Sequence, residues 1–167
     1  MPIILFDTAQ RNLLHPFTGI RAIADIRAGI LTIRERWEKL TGQKIYVLTE
    51  PYLQAAYPNP PAGEKILINA AVIADKNLVN LIMNLQVNEA LVKDGAVIAA
   101  VSPAGEEWTI HTIVPEKFKK CISCNLALKK ISYPWHIFQW NDDLIRSDFA
   151  LITANRLHQS ATNIYGW

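Results

Sequence analysis

The stretch Pro2-Ile-Ile-Leu-Phe6 is an apolar run, and Lys44-Ile-Tyr-Val-Leu-Thr49 is a second one. A short continuous apolar run is typical of a strand that is buried on both faces, as in a parallel sheet. The sequence between them carries apolar residues at alternating spacings of four and three, namely Ile26, Ile30, Ile33, Trp37 and Leu40. This spacing predicts a helix of about four turns. Strand, helix and strand in this order open a βαβ unit.

The next part of the chain continues the same pattern. Lys65-Ile-Leu-Ile-Asn-Ala-Ala-Val72 predicts a third buried strand. An apolar stripe from Leu78 to Leu85 follows Asp75, which is a good N-cap, so a second helix is expected there. Asp94-Gly95 separates two apolar runs and favours a two-residue hairpin turn, which adds an antiparallel pair to the sheet.

The carboxy-terminal third gives weaker signals. Strands are predicted at 108–114 and 125–131, and helices at 135–138 and 144–152, the latter with Asn141 or Asp142 as a start signal. We therefore predict one α/β domain over residues 1–159. Residues 160–167 are expected to be a tail or the start of a missing domain.

Composition and charge exclude several classes of protein. Half of the 167 residues are hydrophobic and 19% are charged, which is typical of a globular domain and excludes collagen, coiled coil and wholesale disorder. Lys and Arg total 17 against 15 Asp and Glu, so no nucleic-acid or anionic-membrane partner is expected. No apolar run has the roughly 20 residues of a membrane span, and the first residues carry no secretory pattern, so the predicted location is the cytoplasm.

The connection between the first strand and the first helix is unusually long. It runs from Asp7 to Asp25, whereas βα loops typically have about 2–6 residues. Ligands of open α/β sheets bind at the carboxyl ends of strands, which is where this loop starts. The loop region contains side chains that suit phosphate oxygens: Arg11, His15, Thr18, Arg21 and Arg27. The alternative is that the arginines form ion pairs with Asp7, Asp25 and other acids.

Four stretches together resemble a known family. The longest is Arg11-Asn-Leu-Leu-His-Pro-Phe-Thr-Gly-Ile-Arg-Ala-Ile-Ala-Asp-Ile-Arg-Ala-Gly-Ile-Leu-Thr-Ile-Arg-Glu-Arg-Trp37, and the others are Ile66–Ala70, Ala90–Gly95, and Pro134–Asn141 with Asp148–Thr153. They resemble the amino-terminal domain of sugar nucleotidyltransferases. The variant in question is fused to a left-handed β-helix acyltransferase in proteins described as UDP-N-acetylglucosamine pyrophosphorylase and glucosamine-1-phosphate acetyltransferase.

The resemblance implies a fold and a reaction. The fold would be a three-layer α/β/α sandwich like that of nucleotide-diphospho-sugar transferases, with a mixed, mainly parallel sheet. The reaction would transfer a nucleotidyl group from a nucleoside triphosphate, with UTP expected, to a sugar 1-phosphate, with N-acetylglucosamine 1-phosphate expected. Mg²⁺ would assist, and pyrophosphate would leave. A β-helix acyltransferase domain, in the same or a partner chain, and a homo-oligomer are the partners that the resemblance leaves open.

The resemblance also implies roles for individual residues. Arg11 and Arg21 would be catalytic and would contact phosphate. The other expected nucleotide- or phosphate-binding residues are Asp7, His15, Thr18 and Arg27. Asn69 would bind the sugar, although an Asn at a strand end also caps local turns.

The chain departs from the family pattern at several places. Ala99-Ala-Val-Ser-Pro103 lacks the acidic and lysine residues expected after the hairpin, and Ala22 stands where a proline is usual. No glycine lies between Phe6 and Gly19, where the wider family has a glycine-rich loop, and Ala71 stands about where a magnesium-binding Asp is expected. Asp7 and Asp148 are the candidate replacement metal ligands, with an ion pair to Arg146 or Arg156 as the alternative for Asp148. A second hypothesis is therefore a nucleotide-sugar-binding or scaffold domain without full catalysis. A third, purely structural hypothesis pairs Arg11 and Arg21 with acids.

Overall fold

A computed structural model of the protein describes residues 1–154, and six strands form one mixed sheet. The strands are β1 (Ile3–Phe6), β2 (Ile45–Leu48), β3 (Lys65–Asn69), β4 (Glu89–Lys93), β5 (Ala96–Ser102) and β6 (Lys120–Ser123). Their order is β2-β1-β3-β5-β4-β6, and β5 alone runs antiparallel to its neighbours. The predicted α/β class with a mainly parallel mixed sheet is confirmed. The tail predicted at 160–167 lies outside the described residues.

Four α-helices connect or follow these strands: α1 (Ile33–Thr41), α2 (Pro51–Gln54), α3 (Lys76–Met83) and α4 (Pro134–Thr153). Three short 3-10 helices lie at Ala9–Leu14, Ile23–Asp25 and Pro115–Lys117. The described helices include none with both the length and the apolar composition that crossing a membrane requires.

The two faces of the sheet are covered differently. Ile3 and Leu5 of β1 belong to a core that includes buried residues of α1, α3 and α4. Ile4 and Phe6 point to the other face, as alternation along a strand requires, and join a smaller cluster with Phe118. This second cluster contains no helix residue. The segment between β5 and β6 contributes Trp108, Ile113 and Phe118 to this face.

The first long helix is shorter than its apolar spacing predicts. It begins at Ile33, because Thr32 and Glu35 form a capping box in which the Thr32 hydroxyl accepts from Glu35 N and the Glu35 carboxylate accepts from Thr32 N. Upstream, Gly29 has a φ of +82°, which ends any helical geometry. The prediction of helix over residues 26–32 is thus wrong. Ile26 is buried as a loop anchor.

Other local predictions are partly corrected. The hairpin turn at Asp94-Gly95 is confirmed, with φ values of +51° and +74°. The predicted strand at 108–114 forms loop and turn, and 125–131 contributes one isolated bridge, between Lys130 and Val72. The two helices predicted in the carboxy-terminal third are the single helix α4.

Helix α4 packs on the loop before α1 through one carboxylate. Asp148 is fully buried, and its Oδ2 accepts from Ile30 N at 2.9 Å and Leu31 N at 3.1 Å. Its other oxygen pairs with the Arg36 guanidinium of α1. Because Gly29 has no side chain, the loop can approach α4 closely enough for these bonds to form.

Gly29→Ala should therefore destabilise the fold by about 2–4 kcal/mol, from the positive φ and from overpacking. A Cβ at this position would lie 2.6 Å from Asp148 Oδ2 and 2.8 Å from Leu144 Cβ. Gly42→Ala is the control, because Gly42 also has positive φ, at +67°, but a Cβ added there would meet no atom of a non-adjacent residue within 4 Å. We expect that control to cost about 1 kcal/mol in urea denaturation. Equal losses in both variants would contradict the proposed packing role of Gly29.

Candidate functional site

The loop after β1 is built on the buried carboxylate of Asp7. This side chain accepts from Thr49 Oγ1 at 2.7 Å, Ile23 N at 2.9 Å and Arg11 Nε at 3.1 Å. Burial raises the pKa of Asp7, while the same three partners oppose that rise. Asp7 thus joins β1, the end of β2 and the far end of the loop.

Arg11 completes this network. Its Nη1 donates to Tyr52 Oη at 3.0 Å, and its Nη2 donates to the carbonyls of Thr18 at 2.7 Å and Arg21 at 3.2 Å. The Thr18 hydroxyl donates back to Arg11 O at 2.7 Å. The Arg11 side chain is only 3% exposed. This geometry is the acid-paired arrangement of the structural hypothesis, and a triphosphate contact by Arg11 stays a prediction that requires these bonds to break.

The side chains of the other predicted phosphate ligands, His15, Arg21 and Arg27, lie outside this network. The Arg21 side chain and His15 are exposed, and Arg21 joins the network only through its carbonyl. Arg27 is exposed, donates to Ile30 O and lies 3.7 Å from Glu35. The structure therefore brings together Asp7, Arg11 and Thr18, and it leaves the side chains of His15, Arg21 and Arg27 on the surface.

A cleft opens instead at the carboxyl ends of β1 and β3, with a volume of about 330 Å³. A neighbouring cavity of about 300 Å³ shares Gln10, Ala96 and Lys130 with it. We call the two together the strand-end cleft. Its polar and charged lining residues are Thr8, Gln10, Asn69, Lys93, Asp94, His111, Lys130 and Ser132. Of the predicted site residues, this cleft contains Asn69.

Half of the hydrogen-bonding capacity of the Asn69 side chain is occupied inside the protein. Its Oδ1 accepts from Ala71 N at 3.0 Å, and its Nδ2 donates to Val97 O at 3.4 Å. The first bond is the local turn cap expected as the alternative. Sugar binding by Asn69 stays a prediction, with its second amide hydrogen as the remaining donor.

Two groups of the cleft have polar atoms without partners in the part of the chain that the structure describes. Thr8 Oγ1 is buried and makes no hydrogen bond. Lys130 is half-buried, and its ammonium has neither a hydrogen-bond acceptor nor a carboxylate within 4.0 Å among residues 1–154. Burial lowers the pKa of Lys130, and the charge of Asp94 partly offsets this effect.

The backbone explains how Lys130 reaches the cleft. Ile73 N donates to Lys129 O at 2.9 Å and Ile131 N donates to Ala71 O at 2.8 Å, so this short segment pairs with residues 71–73, which follow a turn at the end of β3. Sequence reasoning missed Lys130, Thr8 and Gln10 as site residues. The available signal was a pair of lysines inside the apolar run Leu126-Ala-Leu-Lys-Lys-Ile131, which was predicted only as a strand.

A family model described as sugar nucleotidyl transferase matches residues 3–157. The chain belongs to the sugar nucleotidyl transferase family. Among solved structures, a candidate glucose-1-phosphate thymidylyltransferase from Bacillus anthracis, solved in complex with sucrose, is similar in fold. The TM-score is 0.50 at 9% identity, and the match covers 87% of this chain and 95% of that chain. None of the curated proteins matches this sequence.

Sugar nucleotidyltransferases generally use a divalent metal. Within residues 1–154, no group of three His, Cys, Asp or Glu side chains could hold one. Asp7 and Asp148, the predicted ligands, are each fully buried and accept three hydrogen bonds from protein donors. The ion pair expected as the alternative for Asp148 is formed with Arg36 and not with Arg146, and Arg156 lies outside the described residues. The two predicted ligands thus do not fit a metal site in this arrangement, because their oxygens are occupied by protein donors.

A wider cavity of about 600 Å³ between α1, α4 and the segment before α3 is a less suitable substrate site. Its charged groups already have partners: Arg36 pairs with Asp148, and Lys129 pairs with Asp143 at 2.8 Å. Arg146 likewise pairs with Asp142 at 3.0 Å. A ligand there would have to compete with ion pairs that are already formed.

Arg11→Ala should lower the free energy of unfolding by about 3–5 kcal/mol, because it leaves the buried Asp7 carboxylate without its counter-charge. Arg21→Ala, in the same loop but exposed, should change it by less than about 0.5 kcal/mol. Urea denaturation of both variants of the transferase measures the difference. An Arg11→Ala variant as stable as the wild type would exclude the structural role assigned to this pair.

Proposed function

We propose that the protein transfers a nucleotidyl group from UTP to N-acetylglucosamine 1-phosphate, and that both substrates bind in the strand-end cleft. Sugar nucleotidyl transfer is the activity of the family. The choice of base and sugar rests on the resemblance of the stretch from Arg11 to Trp37 to the amino-terminal signature of UDP-N-acetylglucosamine pyrophosphorylases. The cytoplasm, a β-helix acyltransferase partner and a homo-oligomer stay predictions.

One observation carries the placement of the reaction. The cleft lies at the carboxyl ends of the neighbouring parallel strands β1 and β3, and the sheet changes to antiparallel pairing at β5 beside it. Open α/β sheets bind ligands at the carboxyl ends of their strands. Among residues 1–154, the same cleft has a positive charge without an ion-pair partner and a hydroxyl group without a hydrogen bond, both of which suit phosphate oxygens.

The reaction has a simple balance. An oxygen of the sugar 1-phosphate attacks the α-phosphorus of the triphosphate and forms a new P–O bond. The bond between the α-phosphorus and the oxygen that bridges to the β-phosphorus breaks, and pyrophosphate leaves with that electron pair. No covalent nucleophile from the protein is needed, so the chain's task is to position the two phosphates and to compensate their charge.

Within this scheme, residues at the start of the loop have a positioning role. Thr8 and Gln10 line the cleft directly after β1, and the Asp7–Arg11 network holds their backbone. Gln10 and Asn69 offer amide donors and acceptors that suit a base or a sugar hydroxyl. Mg²⁺ stays a prediction from the resemblance, and no step is assigned to it.

A nucleotide-sugar-binding domain without catalysis is the second candidate. The observation that favours it is the saturation of Asp7 and Asp148 by protein donors, which removes both from metal binding in the described arrangement. Such a domain would bind nucleotide sugar in the same cleft but would not release pyrophosphate.

Pyrophosphate release distinguishes the two candidates. We expect release, with formation of the nucleotide sugar, when the protein is incubated with MgCl₂, UTP and N-acetylglucosamine 1-phosphate. Panels of other triphosphates and other sugar 1-phosphates test the specificity. Ala96→Phe should abolish product formation because Ala96 lines both parts of the cleft, whereas Ala62→Phe, in an exposed loop, should not.

Each outcome of this assay decides between the candidates. Tight binding of the nucleotide sugar without release from any substrate pair would favour the binding domain. Release that is unaffected by Ala96→Phe would place the reaction outside the cleft.

A further inference from the structure

We propose that the Lys130 ammonium binds the phosphate groups of the substrates, and that this contact does not require a metal ion held by the protein. The inference rests on the proposed function, because it assigns the phosphate subsite of the same strand-end cleft. The ligand class is an organic or inorganic polyphosphate or a phosphomonoester.

The charge of Lys130 favours it as the phosphate ligand. Of the two lysines that line the cleft, Lys93 donates to Leu126 O at 2.5 Å, while Lys130 has no acceptor among residues 1–154. A half-buried ammonium that forms no ion pair has lost part of its hydration without gaining a directly bonded acceptor in return. Asp94 is near enough to affect Lys130 electrostatically but forms no ion pair with it. An anion in the cleft would supply the missing partner.

The position of Lys130 in the fold also suits a ligand contact. The chain turns directly after β3, where Val72 N donates to Asn69 O at 3.1 Å, and Lys130 pairs with Val72 in an antiparallel bridge. The carbonyl of Lys130 lies 3.1 Å from His136 Nδ1 at the start of α4, which fixes the backbone further. The side chain therefore starts from a rigid segment at the carboxyl end of β3, as a binding residue requires.

Other charged side chains predicted at the site, namely Arg11, Asp7 and Asp148, already form hydrogen bonds inside the protein. Arg11, the predicted triphosphate ligand, uses four guanidinium donor contacts inside the protein. Asp7 and Asp148 are buried and accept hydrogen bonds from protein donors, so neither carboxylate is free to hold a metal in the cleft. Thr8, with its unpaired hydroxyl, lines the same cleft as Lys130 and could add a neutral donor after a side-chain rotation.

Isothermal titration of the full chain with inorganic pyrophosphate tests the proposal without depending on the base, the sugar or turnover. We expect the wild type to bind with affinities that agree within about threefold in EDTA and in MgCl₂. Lys130→Met should bind at least about tenfold more weakly, as expected for the loss of a charged hydrogen bond. Lys130→Gln serves as a second variant if the Met variant fails to fold.

Lys129→Met is the matched control. Lys129 is the adjacent residue and carries the same charge, but it pairs with Asp143 at 2.8 Å on the surface and does not line the strand-end cleft. Its variant should bind pyrophosphate like the wild type. Lys130→Arg keeps the charge and should retain more affinity than Lys130→Met.

Three results would overturn the proposal: pyrophosphate binding by the wild type only with Mg²⁺, equal binding by wild type and folded Lys130 variants, or no binding by the wild type. The proposed function is tested separately by product formation. Nucleotide-sugar formation that persists in Lys130→Met would overturn the phosphate role and leave the function standing. Loss of pyrophosphate binding in Lys130→Met, with no product from the wild type, would keep the phosphate role and overturn the transfer activity.

Discussion

The buried ion pair between Asp7 and Arg11 is the constraint on which the loop after β1 and the strand-end cleft depend. Two charges removed from water are tolerated only when hydrogen bonds satisfy them, and here Thr49, Tyr52 and the loop backbone do so. The pair ties a long loop to the end of β1 and to the end of β2. It thereby fixes the start of the loop, Thr8 to Gln10, as one wall of the cleft. Arg36 and Asp148 hold residues 30–31, which lie shortly before α1, against α4.

This arrangement differs from the role that the resemblance implies for Arg11, which is contact with the triphosphate. A guanidinium that donates to a carboxylate, a hydroxyl and two carbonyls organises the loop and has little capacity left for a substrate. Charge compensation then has to come from elsewhere in the cleft. Lys130 enters from a different part of the chain, through the short segment that pairs with Val72 after the turn at the end of β3. The same overall fold can thus present its phosphate-binding cation from a different element.

The sequence predicted the fold well where periodicity and turn chemistry are local. The apolar runs of β1 and β3 and the Asp94-Gly95 turn appear as expected, because burial on both faces and positive φ are encoded in neighbouring residues. The helix start at Ile33 was missed because Ile26 and Ile30 lie at helical spacing but occupy the loop that contains Gly29. The site was harder to predict. Whether Arg11 faces a substrate or Asp7, and whether Lys130 is paired, depends on contacts between residues far apart in the chain.

A crystal structure of the protein with bound pyrophosphate, grown with EDTA, tests the central claim most directly. The account predicts a phosphate oxygen about 2.7–2.9 Å from Lys130 Nζ in the strand-end cleft, with Arg11 still paired to Asp7. A phosphate bound to the Arg11 guanidinium, with the Asp7 pair broken and Lys130 without contact to the ligand, would contradict it.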